Sequence, residues 1–402
     1  TFRTPTEAVA LANNTRYGLA ASVWTENLRL GLDVASQIHA GTIWLNSTNL
    51  FDAASGFGGC RESGFGREGG REGVWEYMIP KWQKEQAPTS RMEGTAGFKT
   101  HIDARASAAP SPDFQVGLPC DRTAKLYIGG KQVRPDSGYS LLIRNPQGQI
   151  IGEVGKGNRK DIRDAVEAAR AATDWSRMSG HDRAQRLYYL AENLSARSGE
   201  FGMRIRQMTG CRAGLAAQEV QLSIKRLYTW AAWADKYDGA VHSTALRSIT
   251  FALHEPVGVI GILCPDVFPL LAFISTTMPA LAMGNSVVAV PSEAAPLSAT
   301  DFYQVMETSD IPAGVLNIVT GQRDALAEVL AAHEDVDAVW YFGSAEGSAR
   351  IERLSAGNLK RTWVENAHRR DWINPQQGEG VEFLQESSRV KNVWIPLPAS
   401  DM

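Results

Sequence analysis

The stretch Gly284-Asn285-Ser286-Val287-Val288-Ala289-Val290-Pro291-Ser292-Glu293 decides how the chain folds. Its apolar core, VVAV, reads as a buried strand that stops at a proline and opens onto a loop. In an open α/β sheet, ligands bind in the crevice beyond the carboxyl ends of the strands, so this loop stands where a nucleotide's hydroxyls or phosphates would arrive. It offers them a serine and a carboxylate but no cation.

Working outward, strands and helices alternate. The pattern predicts a strand over 257–263, a helix over 268–282, the strand over 286–290, a helix over 297–307, and a strand over 315–319. A helix over 324–332, a strand over 337–342, a helix over 345–354 and a strand over 361–364 complete it. Such alternation indicates an α/β fold built on a doubly wound, Rossmann-like parallel sheet. Upstream lie a small hairpin, Leu126 to Val133, and helices near 160–173, 182–198 and 213–237. Downstream, Ser388 to Pro396 alternates as one more strand.

Residues 1–82 form a separate block. Thr4-Pro5-Thr6-Glu7 is a capping box with proline at the first helical position, launching a helix to Asn13. A strand over 20–24, a helix over 26–39 and a strand over 42–46 make a β-α-β unit with parallel strands. The run from Gly56 to Gly73 is too glycine-rich for a helix or strand interior and reads as a loop. Val74 to Tyr77 reads as a return to strand. Residues 83–123 lack periodicity and are rich in Ala, Ser, Pro and charge, the composition of a linker. The organisation expected is therefore 1–82, a linker over 83–123, and 124–402 with its assembly strand at 388–396.

A net charge of −3 provides no global basic field for nucleic acid. The most apolar stretch, Val257 to Met283, is broken by Pro265, Asp266, Pro269 and Pro279, so no membrane span is expected. Cys60, Cys120, Cys211 and Cys264 show no CxxC pairing, which fits a reducing compartment; cytoplasm is the expected location. The chain begins at Thr1 rather than Met, which reads as a fragment or a processed product.

The runs HEPVGVIGILCPDVFPLLAF, PALAMGNSVVAVPSEAAPLSA, IPAGVLNIVTG and HEDVDAVWYFGSAEGSARI resemble, in order and spacing, the coenzyme-binding domain of the aldehyde dehydrogenase superfamily. The runs NNTRYGLAASVWTENL, AGTIWLN and FGGCRESGFGREGGREG resemble the closing third of its catalytic domain. Here that ending precedes the coenzyme domain. This order resembles aldehyde dehydrogenase family 16, the long type with a second, degenerate aldehyde-dehydrogenase region.

The resemblance implies NAD or NADP as cofactor and assigns positions. The superfamily's Lys-Pro-Ser-Glu holds the adenosine ribose; here the lysine position is Val290 and the glutamate is Glu293. Its oxyanion donor, an asparagine, matches Val267, with Asp266 in place of tryptophan. Gly321 keeps the glycine of the next cofactor turn, and Arg323 stands where a small residue is usual, a cation able to restore part of the binding; Gly343-Ser344, at the start of the helix over 345–354, offers amides to an anion. The glutamate base matches Glu365, but Asn366-Ala367-His368 replaces Leu-Gly-Gly. The nucleophile's Gly-Gln-x-Cys context is absent. Too few residues follow Glu365 to build a catalytic domain.

The reading is thus of a non-catalytic chain with weak or no dinucleotide binding through Glu293, Gly321, Gly343 and Ser344, and with Glu365 vestigial. Ser388–Pro396 is expected to pair with a sheet outside its own domain, within one chain or across a homo-oligomer. A pseudoenzyme scaffold for protein partners and a weak NAD-sensing module are the competing readings. Cys60 lies beside an arginine but alone in a loop. Cys264 reads as core, His254 and His333 as turn residues without a metal partner, and Arg67, Arg71 and Lys81 as a solvated face.

Overall fold

The computed structural model describes residues 1–85 and 122–397. The expected linker therefore lies almost wholly outside the described residues. In chain order the strands are β1 (Ala20–Val23), β2 (Thr42–Leu45), β3 (Leu126–Ile128), β4 (Lys131–Val133), β5 (Ser140–Arg144), β6 (Ile150–Gly155) and β7 (Ala240–His242). They continue with β8 (Ser248–Pro256), β9 (Val259–Leu263), β10 (Ser286–Val290), β11 (Leu316–Ile318), β12 (Ala338–Tyr341), β13 (Arg361–Val364) and β14 (Ser388–Pro396).

The main sheet has the order β13-β12-β9-β10-β11-β3-β4. Its members β13 to β11 run parallel, and the β3–β4 hairpin closes one edge antiparallel. The strands are buried on both faces because alternate side chains enter different cores. Ile260, Ile262, Val287, Ala289 and Trp340 face one cluster, and Val259, Leu263, Val288, Val290, Val339 and Tyr341 the other. The helix Leu271–Ala282 is buried along its whole length. Its first amides would be orphaned in apolar surroundings, and Glu219, itself buried, accepts from Leu270 N at 2.9 Å and Leu271 N at 3.3 Å.

The second sheet, β1-β2-β14-β8-β7, joins the two blocks. β14 pairs antiparallel with β8 of its own block and parallel with β2 of the first, Asn392 opposite Thr42 and Trp394 opposite Trp44. Side chains lock this seam. Lys391, 1% exposed, donates to the carbonyls of Ala35 (3.3 Å) and Ser36 (3.2 Å) near the end of helix Leu28–Gln37, and pairs with Glu255. Each charge-assisted bond of this kind contributes about 1.5–3 kcal/mol. Arg67 Nη2 donates to Val390 O at 3.0 Å, and Asp52 accepts from Ala245 N at 2.8 Å.

Several expectations are corrected here. Val74 and Trp75 end a helix, Gly70–Trp75, which starts where Gly69 and Gly70 take positive φ; the seam uses β1 and β2 instead. Arg67 is not on a solvated face: it is 8% exposed, because the glycine loop folds its carbonyls of Gly59 and Phe65 around the guanidinium. His254 lies in β8 with its ring 4.3 Å from that of Tyr237, not in a turn. The hairpin β5–β6, the helix Ser198–Thr209 and the β7–β8 pair were not expected at all.

Candidate functional site

Four loops leave the carboxyl ends of the parallel strands β9, β10, β11 and β12 and meet in one crevice. After β10, Glu293 Oε2 accepts from the backbone N of Arg323, at 3.1 Å, in the loop after β11. Gly321 precedes it, packed so closely on Leu326 that an added Cβ would lie 2.8 Å from Cδ1. Arg323 Nη1 donates to Asp266 Oδ2 at 3.0 Å, in the loop after β9, and Ser292 Oγ donates to the other oxygen of Asp266 at 2.9 Å. Arg323 Nε also faces Asp324 Oδ1 at 3.4 Å. One cation thus stands among three carboxylates, Asp266, Asp324 and Glu293. Val290 is fully buried in the sheet core and Val267 is 38% exposed.

After β12, Ser344 caps the helix Ala345–Ser355, its hydroxyl accepting from Gly347 N at 3.0 Å. Gly343 is confined: a Cβ there would lie 2.5 Å from Tyr341 Cζ. The Tyr341 phenol sits over this first helical turn, donates to Asp324 Oδ1 at 2.9 Å, and carries the Arg323 guanidinium 5.8 Å from its ring centre. A helix start with free amides attracts an anion; this one is covered by a neutral ring. The structure therefore brings Glu293, Gly321, Gly343 and Ser344 to one crevice, and fills it with Arg323, Asp266 and Tyr341. The sequence marked the first two of these as departures from a motif, and Arg323 also as a cation able to restore part of the binding.

Glu365, at the end of β13, lies apart from these groups. It is 5% exposed, and burial pushes its carboxyl above the usual range while Arg370 pulls it back. Arg370 Nε meets Glu365 Oε1 at 2.5 Å and its Nη1 meets Glu382 Oε1 at 3.0 Å. Four rings enclose the guanidinium, Trp82 at 4.8 Å, Phe383 at 5.0 Å, Trp363 at 5.3 Å and Trp372 at 5.6 Å. Trp82 comes from the first block. The Glu365 carboxylate is thus held in an ion pair with Arg370. The turn itself keeps a glycine-like backbone, with positive φ at Asn366 and Ala367, a strained state for alanine.

Among the described residues, which leave out Cys120, no cysteine is hydrogen-bonded to Glu365. Cys264 is fully buried at the end of β9, where burial pushes its thiol up to about 12. Cys60 is also buried, in the first block, its Sγ 3.5 Å from Gly18 O. Among the described residues no cluster of His, Cys, Asp and Glu has metal-binding geometry, and no helix is long and apolar enough to cross a membrane.

A parallel sheet of this order with a crevice at its carboxyl edge defines a nucleotide-binding type of α/β fold. The aldehyde dehydrogenase family pattern matches residues 1–83 and 133–372, and the chain belongs to that family. It is 35% identical over 271 residues to the mitochondrial aldehyde dehydrogenase of Rattus norvegicus, covering 65% of this chain and 51% of that protein. Human retinal dehydrogenase 2 is 33% identical over 265 residues, covering 64% of this chain and 50% of the relative. Among solved structures, an NAD-dependent aldehyde dehydrogenase from Sinorhizobium meliloti superposes with a TM-score of 0.58 at 30% identity, over 60% of this chain and 49% of its own. The betaine aldehyde dehydrogenase of Staphylococcus aureus in complex with NAD+ superposes with the same score at 26% identity, over 60% of this chain and 49% of its own. The chain spans about half the length of the curated relatives it matches.

Proposed function

We propose that this chain is the carboxyl-terminal portion of a family 16 aldehyde dehydrogenase, comprising the end of one catalytic domain (1–82), a linker (83–123) and a second, non-catalytic coenzyme-type domain (124–402). The whole protein would oxidise an aldehyde to a carboxylic acid with NAD or NADP, using a nucleophile outside this sequence. The second domain serves structure and assembly. The observation that carries this reading is β14: the last strand of the second block lies between β2 of the first and β8 of its own, so the first block's sheet is built on it.

The crevice supports the non-catalytic half of the reading. A pyrophosphate would enter a site with one cation against three carboxylates, over a helix start already covered by Tyr341, with valine at the ribose-lysine position. Losing one charge-assisted hydrogen bond alone weakens binding about ten- to hundredfold. Dinucleotide binding by this chain is therefore weak or absent, Glu293, Gly321, Gly343 and Ser344 act as fold-forming turns, and Glu365 is a structural ion-pair partner. The decisive measurement is NAD+ calorimetry together with NADH production from aliphatic and aromatic aldehydes. Micromolar NAD+ binding, or turnover abolished by a cysteine substitution, would overturn the reading.

A scaffold that docks other proteins, or a homo-oligomer, is the second reading, favoured by the exposed apolar run Tyr77, Met78 and Ile79, of which Tyr77 is 91% exposed. Light scattering of the chain with and without residues 387–402 separates the two. A lower melting temperature at unchanged mass favours the intramolecular seam, and a change of mass favours assembly. A cytoplasmic setting is part of the same proposal.

A further inference from the structure

The first block ends in a segment that lies against the second. Residues 76–85 leave the helix Gly70–Trp75 and finish in a short helix, Lys81–Glu85. Tyr77, Met78 and Ile79 point to solvent, 91%, 62% and 64% exposed. Backbone bonds from Tyr77 N to Val74 O, Met78 N to Trp75 O and Gln83 N to Pro80 O close turns within this part of the chain. A stretch with so little apolar burial belongs to the low-stability end of a fold. It forms one wall of a cleft of about 1670 Å³, with Met78, Ile79 and Gln83 on its side and Arg370, Glu382 and Gln385 on the other.

Trp82 is the large side chain that this segment turns to the second block. Half-buried, its ring lies 4.8 Å from the guanidinium of Arg370, the cation that pairs with Glu365 and Glu382. The other three rings of the enclosure, Trp363, Trp372 and Phe383, belong to the second block, so one side of it is supplied by the first. The enclosure is not fully satisfied. Among the described residues neither Trp82 Nε1 nor Arg370 Nη2, both buried, has a hydrogen-bond acceptor. A buried donor without an acceptor carries a desolvation cost that water removes. Parting the ring from the guanidinium therefore loses a cation–π contact and hydrates two donors. Parting the seam along β14 would instead break a strand ladder and the bonds of Lys391 and Arg67 to carbonyls.

We infer that residues 76–85 are a strap, latched by Trp82 on Arg370, that opens while the β14 seam stays shut and so admits water to the Glu365–Arg370–Glu382 cluster. Its fixed end is the buried Gly73, packed on the backbone of Arg67 and Glu68. With the strap closed, the three charges attract one another in a water-poor enclosure; with it open, water screens them. A contact made by the first block thus controls the surroundings of a carboxylate in the second. The coenzyme crevice shares none of these residues, so the inference stands or falls apart from the reading of NAD binding.

The test is hydrogen–deuterium exchange of the whole chain, sampled from milliseconds to hours and read by peptide mass spectrometry, in the unaltered sequence, Trp82→Phe and Trp82→Ala. Amides of 76–85 should exchange faster than those of the seam strand, 389–395. Trp82→Ala should speed exchange in both 76–85 and 365–371 by about three- to thirtyfold and leave 389–395 unchanged. Trp82→Phe, which keeps a weaker ring partner for the cation, should fall between. If Trp82→Ala does not fold, the same two segments in Trp82→Phe decide. Unchanged exchange in 76–85 would remove the latch, and a rise there without one in 365–371 would remove the seal. An equal rise at 389–395 would mean that the strap opens only with the seam; any of the three overturns the inference.

Discussion

The crevice after β9–β13 and the seam along β14 are both built from charged side chains held near the ends or edges of strands, yet they use them in opposite ways. In the crevice, Arg323, Asp266 and Glu293 satisfy one another across loops from three different strands. In the seam, Lys391, Arg67 and Asp52 satisfy backbone groups of the opposite block. The first arrangement pairs side-chain charges with one another at the strand ends, and the second joins two pieces of chain. One fold thus uses charged side chains both to tie loops to one another at the strand ends and to tie two blocks together along a strand.

The sharpest break of this comparison is Arg370. Arg370→Met leaves the buried Glu365 and the half-buried Glu382 without their cation, and stability should fall by about 3–5 kcal/mol in urea unfolding. Adding Glu365→Gln should recover a large part of that loss. A loss below about 1 kcal/mol for the single variant would mean the carboxylates are not held as charges, and Glu365 would again be a candidate base.

Next in size is Glu219, whose carboxyl burial raises from 4.5 to about 7 against the pull of two backbone amides. The folded state then keeps a proton that the unfolded chain loses, so stability is full below about pH 4.5, declines by about 3 kcal/mol as pH rises to 7, and levels above it. Melting temperatures from pH 5 to 8 should show this decline, and Glu219→Gln should flatten it. An unchanged slope in the variant would assign the decline to another group.

The seam comes next. Lys391→Met should cost about 2 kcal/mol, because Glu255 keeps Arg389 while two carbonyls near the end of helix Leu28–Gln37 lose their donor. The smallest effect is in the crevice: Val290→Lys alone should leave NAD+ binding by calorimetry nearly unchanged, since Arg323 and Asp266 remain in place. Pairing it with Arg323→Gly should be needed before binding improves. If the single lysine suffices, the ion pair is not what closes the site.

Much of the second block was legible from its sequence because apolar runs of strand length alternate with helical spacing from Val259 to Val364. The β5–β6 and β7–β8 pairs were not, since their strands are half exposed and carry too little periodic apolar signal. Val74-Trp75 looked like strand by side-chain type, but the two glycines before it set a helical turn. At the site, single positions such as Val290 and Glu365 could be matched, whereas pairings could not. Arg323 meets Asp266 across the sheet, and Arg67 was read as solvated because nothing in its neighbours announces that loop carbonyls will enclose it.

The place of β14 in the second sheet also governs how the chain can fold. Residues 42–44 pair with 392–394, so the first block's sheet waits on a partner synthesised near the far end of this sequence. Until then Ile43 and Leu45, both buried in the finished sheet, lack their cover, and β2 has an unpaired edge. Contacts of such long sequence separation form slowly, and intermediates with open strand edges aggregate readily. The first block thus emerges from the ribosome before its partner strand and matures only after it, and its yield in a cell should depend on chaperone capacity more than that of the parallel sheet.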